Sequence, residues 1–432
     1  MHWWTSLGVA LSLSSVGMIA RASPLSLADA VAEAKKSSTD LGVARARITV
    51  ANAGYASAGK LIATNPTLSL GYGTAAPFGN AEERSWSFGL SQTIEIGGQQ
   101  SLRKQLVGAE VAESEAEERR VRSELVADVV VTFYALDGAR RIQRMQEEVA
   151  QIYGQLLAIA RTNLEKGLGT KPEVLSLEIE LTRVKADSIG AKALADALQA
   201  QLAGLLGRTG PAEIEPTTTD VPAIAADLDV DALVKEAIEK RPELAAARSR
   251  QRLFRVEGSL ATREAWLSPT FGAGLQYERM AFGLEGFRLA PGGVPGLLGI
   301  DEKRTSLMLS VSIPLPFFNA RSGDVARANA GFDLASIEER AAKTKVEAEV
   351  RSAAAFWKGA RDSFALFEKA RPAMTEAASA YREAFEKRAI ALGEVLLGEE
   401  RVARARVQYL SARGNFLRAR ALLDKATGVF AT

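Results

Sequence analysis

The sequence of 432 residues contains no cysteine and a single histidine, His2. Without cysteine there are no disulfides, no thiolate metal sites, no catalytic thiol and no lipidated N-terminal cysteine. With one histidine at the extreme N-terminus, a tight transition-metal site is not expected, and no metal ligand or cofactor is assigned. A large charge of one sign is also missing: 54 basic and 52 acidic residues nearly cancel. Net charge therefore points to neither nucleic acid nor an acidic surface as partner. No GxSxG, Walker A, HExxH or CxxC pattern occurs, so no catalytic residue is assigned and an enzyme is not expected. The glycine-rich run Gly292-Gly293-Val294-Pro295-Gly296 reads as a solvent loop, and the carboxylate pairs Glu117-Glu118, Glu147-Glu148 and Glu399-Glu400 read as solvated helix faces. Long apolar runs are absent too. The best stretch, Leu125 to Leu136, is interrupted by Asp128, whereas a membrane helix needs about 20 predominantly apolar residues. A mature protein in a membrane would not be held there by helices.

The N-terminus reads as a secretory signal over residues 1–22. Leu7 to Ala20 is apolar and ends in Ala20-Arg21-Ala22, an A-x-A pattern, although Met1 to Ser6 carries no Lys or Arg.

The most informative feature is internal repetition. Under a nearly constant offset, Leu41, Arg45, Arg47 and Pro66 fall on Leu244, Arg248, Arg250 and Pro269. Further on, Ser87, Leu90, Ser91 and Ile94 fall on Ser306, Leu309, Ser310 and Ile313, and Glu165, Lys166, Glu173, Val174 and Leu202 on Glu386, Lys387, Glu394, Val395 and Leu423. The offset grows between the first two blocks, which places extra residues in one loop of the second copy. The expected layout is a first copy at 23–207 and a second at 228–428. Between them lies a linker at 208–227 rich in Pro, Thr and Asp, and a tail at 429–432 follows. Each copy opens with a helix and continues with two short strands, about 66–74 and 85–95 in the first, about 269–278 and 304–314 in the second. Two long helices close each copy, about 99–166 and 172–206, then about 320–388 and 393–427.

The strand segments alternate. Leu68, Leu70 and Tyr72 oppose Thr67, Ser69, Gly71 and Gly73, and Trp86, Phe88 and Leu90 oppose Ser85, Ser87, Gly89 and Ser91. In the second copy Phe271, Ala273, Leu275 and Tyr277 oppose Thr270, Gly272, Gly274 and Gln276, and Leu307, Leu309, Val311 and Ile313 oppose Ser306, Ser310 and Ser312. A period of two means two faces, here one apolar with aromatics and one small and polar. A membrane barrel strand facing lipid on one side and water on the other has this pattern. An ordinary half-buried hairpin shares the period, but the absence of Lys and Glu from these stretches of the polar face favours a lumen. Four strands cannot close a barrel, and open edges in lipid leave backbone groups unpaired, so two or more chains must share one.

The helices supply the second clue. No proline occurs from Gln99 to Lys171, and a helix from Gln99 to Lys166 would run roughly 100 Å. Ile142, Met145, Val149, Ile152, Leu156 and Ile159 step by threes and fours, as do Val174, Leu177, Leu181 and Val184, and in the second copy Val395, Gly398, Val402, Ala405 and Tyr409. Such stepping is a coiled-coil seam.

The two-copy plan and the turns Leu164-Glu165-Lys166-Gly167-Leu168-Gly169-Thr170-Lys171-Pro172-Glu173 and Tyr381 to Leu396 resemble the TolC-type outer-membrane efflux proteins over nearly the whole mature chain. The stretches Ser91 to Arg103 and Ser312-Ile313-Pro314-Leu315-Pro316-Phe317-Phe318-Asn319 are similar to the CzcC-like branch, which serves cobalt, zinc and cadmium export. The resemblance implies a mainly α fold with a small membrane β part, and a homotrimer forming a twelve-strand β-barrel and a twelve-helix α-barrel. It implies an outer membrane of a Gram-negative bacterium, helices extending into the periplasm, and outer-membrane lipid around the barrel. Its implied partners are a periplasmic adaptor (membrane fusion) protein and an inner-membrane RND-type pump, with no nucleic acid. By motif position, Gly167, Leu168, Gly169 and Thr170, with Ala389, Ile390 and Ala391, match the adaptor-contacting tips. Glu394 falls on an acidic aperture position and Glu173 is its counterpart in the first copy. Ile390 stands where some relatives carry a basic latch residue, and Leu397 where they carry a second acidic pore residue. The implied function is a passive exit duct for heavy-metal cations. The rival readings are a duct for drugs or other small organic molecules, and a soluble periplasmic coiled-coil scaffold.

Overall fold

The computed structural model describes residues 23–60, 62–75, 82–209, 213–218, 221, 227–265, 268–286, 296–387 and 389–431. The signal segment and residues 292–295 of the glycine-rich run lie outside the described residues, and Gly296 opens a strand. The chain divides into two compact units. One is drawn from Met1–Leu41, Arg122–Lys240 and Val346–Thr432, the other from Gly42–Val121 and Arg241–Lys345.

In chain order the elements are β1 (Ser23–Leu25), α1 (Leu27–Ser37), α2 (Thr39–Ala53), α3 (Tyr55–Ala58), β2 (Thr67–Ala75) and β3 (Glu82–Thr93). The long helices α4 (Gln99–Glu165) and α5 (Lys171–Leu205) follow, then β4 (Ile214–Pro216), α6 (Val230–Lys240) and α7 (Pro242–Glu264). The chain ends with β5 (Thr270–Gly286), β6 (Gly296–Ser312), α8 (Ser322–Glu386), α9 (Leu392–Thr427) and a 3-10 turn at Val429–Ala431. None of the helices among the described residues is long and apolar enough to cross a membrane.

The sheet unit carries four antiparallel strands in the order β2-β3-β5-β6. The sheet is open, with β2 and β6 at its edges. Its register puts like with like. Leu68, Leu90, Ala273 and Leu309 form one row across the four strands, and Leu70, Phe88, Leu275 and Leu307 the next on the same face. Tyr72, Trp86, Tyr277 and Thr305 follow, with the Tyr72 and Trp86 rings 4.5 Å apart. The opposite face carries the rows Thr67, Ser91, Gly272, Ser310 and Gly71, Ser87, Gln276, Ser306. Met308 is the one large apolar side chain of that face within the apolar band among the described residues. Directly opposed residues on neighbouring strands share a face, so alternation in sequence becomes segregation across the whole sheet.

Gln99 ties the strands to the helices of this unit. It is 1% exposed; its Oε1 accepts from the Gly97 N–H at 2.8 Å, and its Nε2 donates to the Arg263 carbonyl at 3.2 Å. Further along, small buried residues such as Ala246, Ala261, Ala328 and Ala335 let helices approach closely. Arg250 reaches Glu338 at 2.9 Å and Glu113 at 3.4 Å. Glu117 and Glu118 are half-buried and ion-paired, with Arg120 and Arg45 respectively, so they are not the freely solvated pair expected.

The helical unit is built around the seams. Leu125, Val129, Phe133 and Leu136 of α4 pack with Leu202 and Leu206, with α1, and with Ile214 of β4, which pairs parallel to β1. Ala354, Trp357 and Phe364 of α8 pack with Phe416, Ala419 and Leu423 of α9, the Phe364 and Phe416 rings stacking at 5.1 Å. Leu202 and Leu423, matched residues of the two copies, thus sit in two separate cores. Burial of large side chains such as these stabilises by about 1.5–3 kcal/mol each. Of the stepping residues in α4, Val149 and Leu156 are buried with Met145 and Ile152 beside them, whereas Ile159 faces outward at 41% exposure.

Candidate functional site: the helical turns

Both turns belong to the helical unit. The helix α4 stops because Gly167 takes a φ of 74°, a left-handed conformation that costs glycine nothing. The Gly167 N–H donates to the Leu164 carbonyl at 3.0 Å and the Leu168 N–H to the Asn163 carbonyl at 2.8 Å. Those two bonds define a Schellman closure, which satisfies carbonyls that the helix end would leave bare. Leu168 then projects with 78% of its surface exposed. At Gly169 a Cβ would lie 3.1 Å from the Leu164 nitrogen, so the returning chain hugs the end of α4. Thr170 is the extended residue before α5, and Pro172 falls in the first turn, where its missing N–H leaves nothing unpaired. The Glu173 carboxylate accepts from the Thr170 N–H at 3.0 Å.

In the second turn the Ala389 N–H donates to the Ala384 carbonyl at 2.8 Å, the counterpart of the bond from Leu168. Ala389 and Ala391 are exposed and Ile390 is half-buried. Here the parallel ends. Ala391 precedes α9 in extended conformation but has no side-chain oxygen to cap it. Glu394 matches Glu173 in position, yet its exposed carboxylate forms no hydrogen bond or ion pair among the described residues. One glutamate is committed to holding its helix start; the other has no such bond among the described residues. Leu397, one turn on, is 57% exposed.

Around these turns the charges are mostly neutralised. Arg183 of α5 donates to Glu180 at 2.8 Å and to Asp187 at 3.3 Å, and lies 3.9 Å from Glu400 of α9. Glu400 also pairs with Arg404. Burial, followed by the nearby Glu400 and Glu180 carboxylates, pushes the Tyr153 hydroxyl up to about 12. Two features were not legible beforehand. Glu399 is buried, its side chain 9% exposed and bound to Arg382 at 2.8 Å, which corrects its reading as a solvated carboxylate. Gly398 lies beneath the Tyr381 ring, where a Cβ would come within 2.6 Å; its place in the helical stepping was the one available signal. Among the described residues no group of three or more His, Cys, Asp or Glu could hold a metal ion. Among the described residues the arrangement offers two small-residue turns, an exposed leucine and a carboxylate with no bond or ion pair. It is suited to docking and to filtering charge.

The sequence profile for outer membrane efflux proteins matches residues 30–208 and 233–429. No curated protein sequence matches the chain. Among solved structures, the CmeC outer membrane channel of Campylobacter jejuni is similar with a TM-score of 0.71 at 14% identity, over 93% of this chain and 85% of that one. The outer membrane protein VceC of Vibrio cholerae matches with a TM-score of 0.67 at 18% identity, over 93% and 96%. CusC matches with a TM-score of 0.67 at 16% identity, over 93% and 92%. At such identities the likeness is one of fold.

Proposed function

The chain belongs to the outer membrane efflux protein family, whose members are transport channels and not enzymes, and on that premise we propose that it is the passive exit duct of a tripartite heavy-metal efflux system. Residues 1–22 direct export, and residues 23–207 and 228–428 act as two copies of one structural unit joined by 208–227. Three chains assemble, their four strands each closing a twelve-strand barrel in the outer membrane. Helices α4, α5, α8 and α9 of each chain form a twelve-helix tunnel in the periplasm.

The observation that carries this reading is the register of the sheet. Four strands align apolar and aromatic rows on one face and Ser and Gly rows on the other, and neither edge strand has a further partner among the described residues. Lipid on one side and water on the other would produce that segregation. In lipid the edges β2 and β6 need partners, and neighbouring copies supply them. A soluble coiled-coil scaffold would have no use for such a sheet.

The two turns are the tips that engage a periplasmic adaptor, and the energy comes from an RND-type inner-membrane pump. Gly167, Leu168, Gly169 and Thr170 present the first tip, and Ala389, Ile390 and Ala391 the second. Glu394 and its counterpart Glu173 line the aperture, Glu394 foremost, because its carboxylate has no hydrogen bond or ion pair among the described residues. Three such carboxylates around a narrow opening repel one another and attract cations. With Ile390 and Leu397 at the positions of a basic latch and a second acidic residue, gating rests on the adaptor and not on salt bridges of those side chains. The heavy-metal assignment rests on the CzcC-like stretches Ser91 to Arg103 and Ser312 to Asn319.

In planar bilayers Glu394→Gln lowers cation preference, and by more than Glu173→Gln does; unchanged selectivity of Glu394→Gln removes the aperture assignment. Cargo is tested on a deletion strain exposed to zinc, cobalt, cadmium and nickel beside a panel of hydrophobic drugs. Metal sensitivity restored by the gene supports the proposal. Sensitivity to drugs alone leaves the duct and replaces its cargo with small organic molecules.

A further inference from the structure

The register holds one row that neither docking nor conduction uses. Beyond the aromatic row Tyr72, Trp86, Tyr277, the next row on the same apolar face is Thr74, Arg84, Arg279 and Lys303. Arg84 is directly opposite Arg279, and Arg279 directly opposite Lys303. Three cations therefore stand side by side on adjacent strands, about 4.8 Å apart in the backbone. Like charges directly opposed destabilise a sheet, so the row calls for an anion.

The chain's own anions answer it only in part. Arg279 binds Asp301 at 2.8 and 2.9 Å and Arg84 lies 3.3 Å from Glu82. Both carboxylates belong to the following row, one step further from the apolar band. Lys303 forms no close ion pair among the described residues and acts on Asp301 only through space, a carboxylate that Arg279 already holds. The surplus is also one-sided. On the opposite face at the same level, Glu278 is opposed to Arg304, and the next row holds Glu83 and Glu302. The apolar face thus carries three cations against two anions, whereas the polar face carries one cation against three anions. A merely solvated rim gives no reason for cations to gather on the apolar side.

We propose that Arg84, Arg279 and Lys303 form a binding row for the phosphate groups of a phosphorylated lipid in the outer leaflet, of the kind found on lipid A. The inference rests on the reading of this sheet as part of an outer-membrane barrel. By connectivity the helices join the sheet at the Thr93, Thr270 and Ser312 ends, so if the helices lie in the periplasm, the basic row lies at the outer end. Aromatic rings mark the headgroup level. Two residues further along a strand is about 6.6 Å, or about 5 Å further out once the strand tilt of about 40° is allowed for, towards the depth at which headgroup phosphates sit. Arginine meets a phosphate with paired N–H donors and lysine with a point charge. Because Glu82 and Asp301 lie outside the row, a phosphate approaching from the membrane meets the cations first.

The test uses the purified full-length protein in detergent, titrated by native mass spectrometry with diphosphorylated lipid A, with its dephosphorylated counterpart and with inorganic phosphate. Diphosphorylated lipid A is expected to bind at least about tenfold more tightly than the dephosphorylated lipid, since each basic residue near a surface contributes about 1 kcal/mol towards anionic lipid. The Arg84→Gln, Arg279→Gln, Lys303→Gln triple variant abolishes that preference, and Arg84→Lys with Arg279→Lys retains most of it. Equal binding of both lipids by the unaltered protein overturns the proposal, and that comparison needs no variant to fold. Inorganic phosphate that displaces the lipid at equal concentration also overturns it, by showing a site for free phosphate. Recovery in the outer-membrane fraction and heat-modifiable gel migration are measured on the same preparations. Their absence in the unaltered protein would refute the barrel itself; their presence with no lipid preference refutes the phosphate row alone.

Discussion

Asp137 of α4 and Arg413 of α9 form the most deeply buried ion pair among the described residues, their side chains 4% and 8% exposed and 2.8 Å apart. Arg141 adds a second guanidinium at 3.0 and 3.1 Å from the two Asp137 oxygens. One residue on, the helices approach at Gly138 and Gly414, where a Cβ on Gly138 would be 3.6 Å from the Gly414 Cα. The substitution Asp137→Asn keeps the volume and removes the anion. Arg141, 36% exposed, can turn to water, so losing its contact costs about 1 kcal/mol or less. Arg413 cannot do so without disturbing the packing around it. Leaving a buried charge without its partner costs about 3–5 kcal/mol, and that term dominates. The assay is a double-mutant cycle on unfolding in denaturant, with Asp137→Asn, Arg413→Gln and the pair together. The expected result is a large loss for Asp137→Asn and a double variant no worse than that single one, because the second change removes the stranded charge. A cost below about 1 kcal/mol for Asp137→Asn, or simple additivity of the two changes, refutes the reasoning.

A pH dependence is expected in the sheet unit. The Glu339 carboxyl is held down to about 2, first by its bond with Lys343, against the opposing effect of burial, and then by Gln251 and Arg248. A depressed carboxyl contributes stability that is present above its ordinary value of 4.5 and is lost as pH falls through about 2. The difference in melting temperature between the unaltered protein and Glu339→Gln should therefore shrink over that window; a constant difference from pH 7 to pH 2 would contradict the assignment. Near the second tip, Gly398→Ala should cost about 1–3 kcal/mol by driving a methyl into the Tyr381 ring. Tyr381→Ala in the Gly398→Ala background should recover most of that loss, and no recovery would place the strain elsewhere.

Much of the architecture is local and can be read from local pattern. The proline-free stretch from Gln99 and the steps Met145, Val149, Ile152, Leu156 mark α4, since a helix repeats its face every three or four residues wherever it lies. Gly167 and Pro172 mark the first turn because each has a backbone reason to be there. Alternation marks the faces of β2, β3, β5 and β6, because successive strand residues point opposite ways whatever the partner. It does not mark their length. Both β5 and β6 run on through Glu278 to Gly286 and from Gly296 to Arg304, where charged residues break the apolar rhythm and hydrogen bonds to the neighbouring strand sustain the extended chain.

What the tertiary structure alone decided is which distant groups meet. A period of two states a face and not a partner, so the pairing of β3 with β5, and with it the row Arg84, Arg279, Lys303, appears only once the strands are in register. Glu173 and Glu394 occupy the same place in two like turns, but the Thr170 N–H engages one carboxylate and Ala391 offers nothing comparable to the other. Glu399 and Glu400 are neighbours of one type in sequence; their environments differ because adjacent helix positions point about 100° apart, one onto Arg382 and the Tyr381 side of α8, the other towards Arg183 of α5. Periodicity along the chain is set by the backbone next door, whereas burial and charge pairing are set by whatever the fold brings alongside.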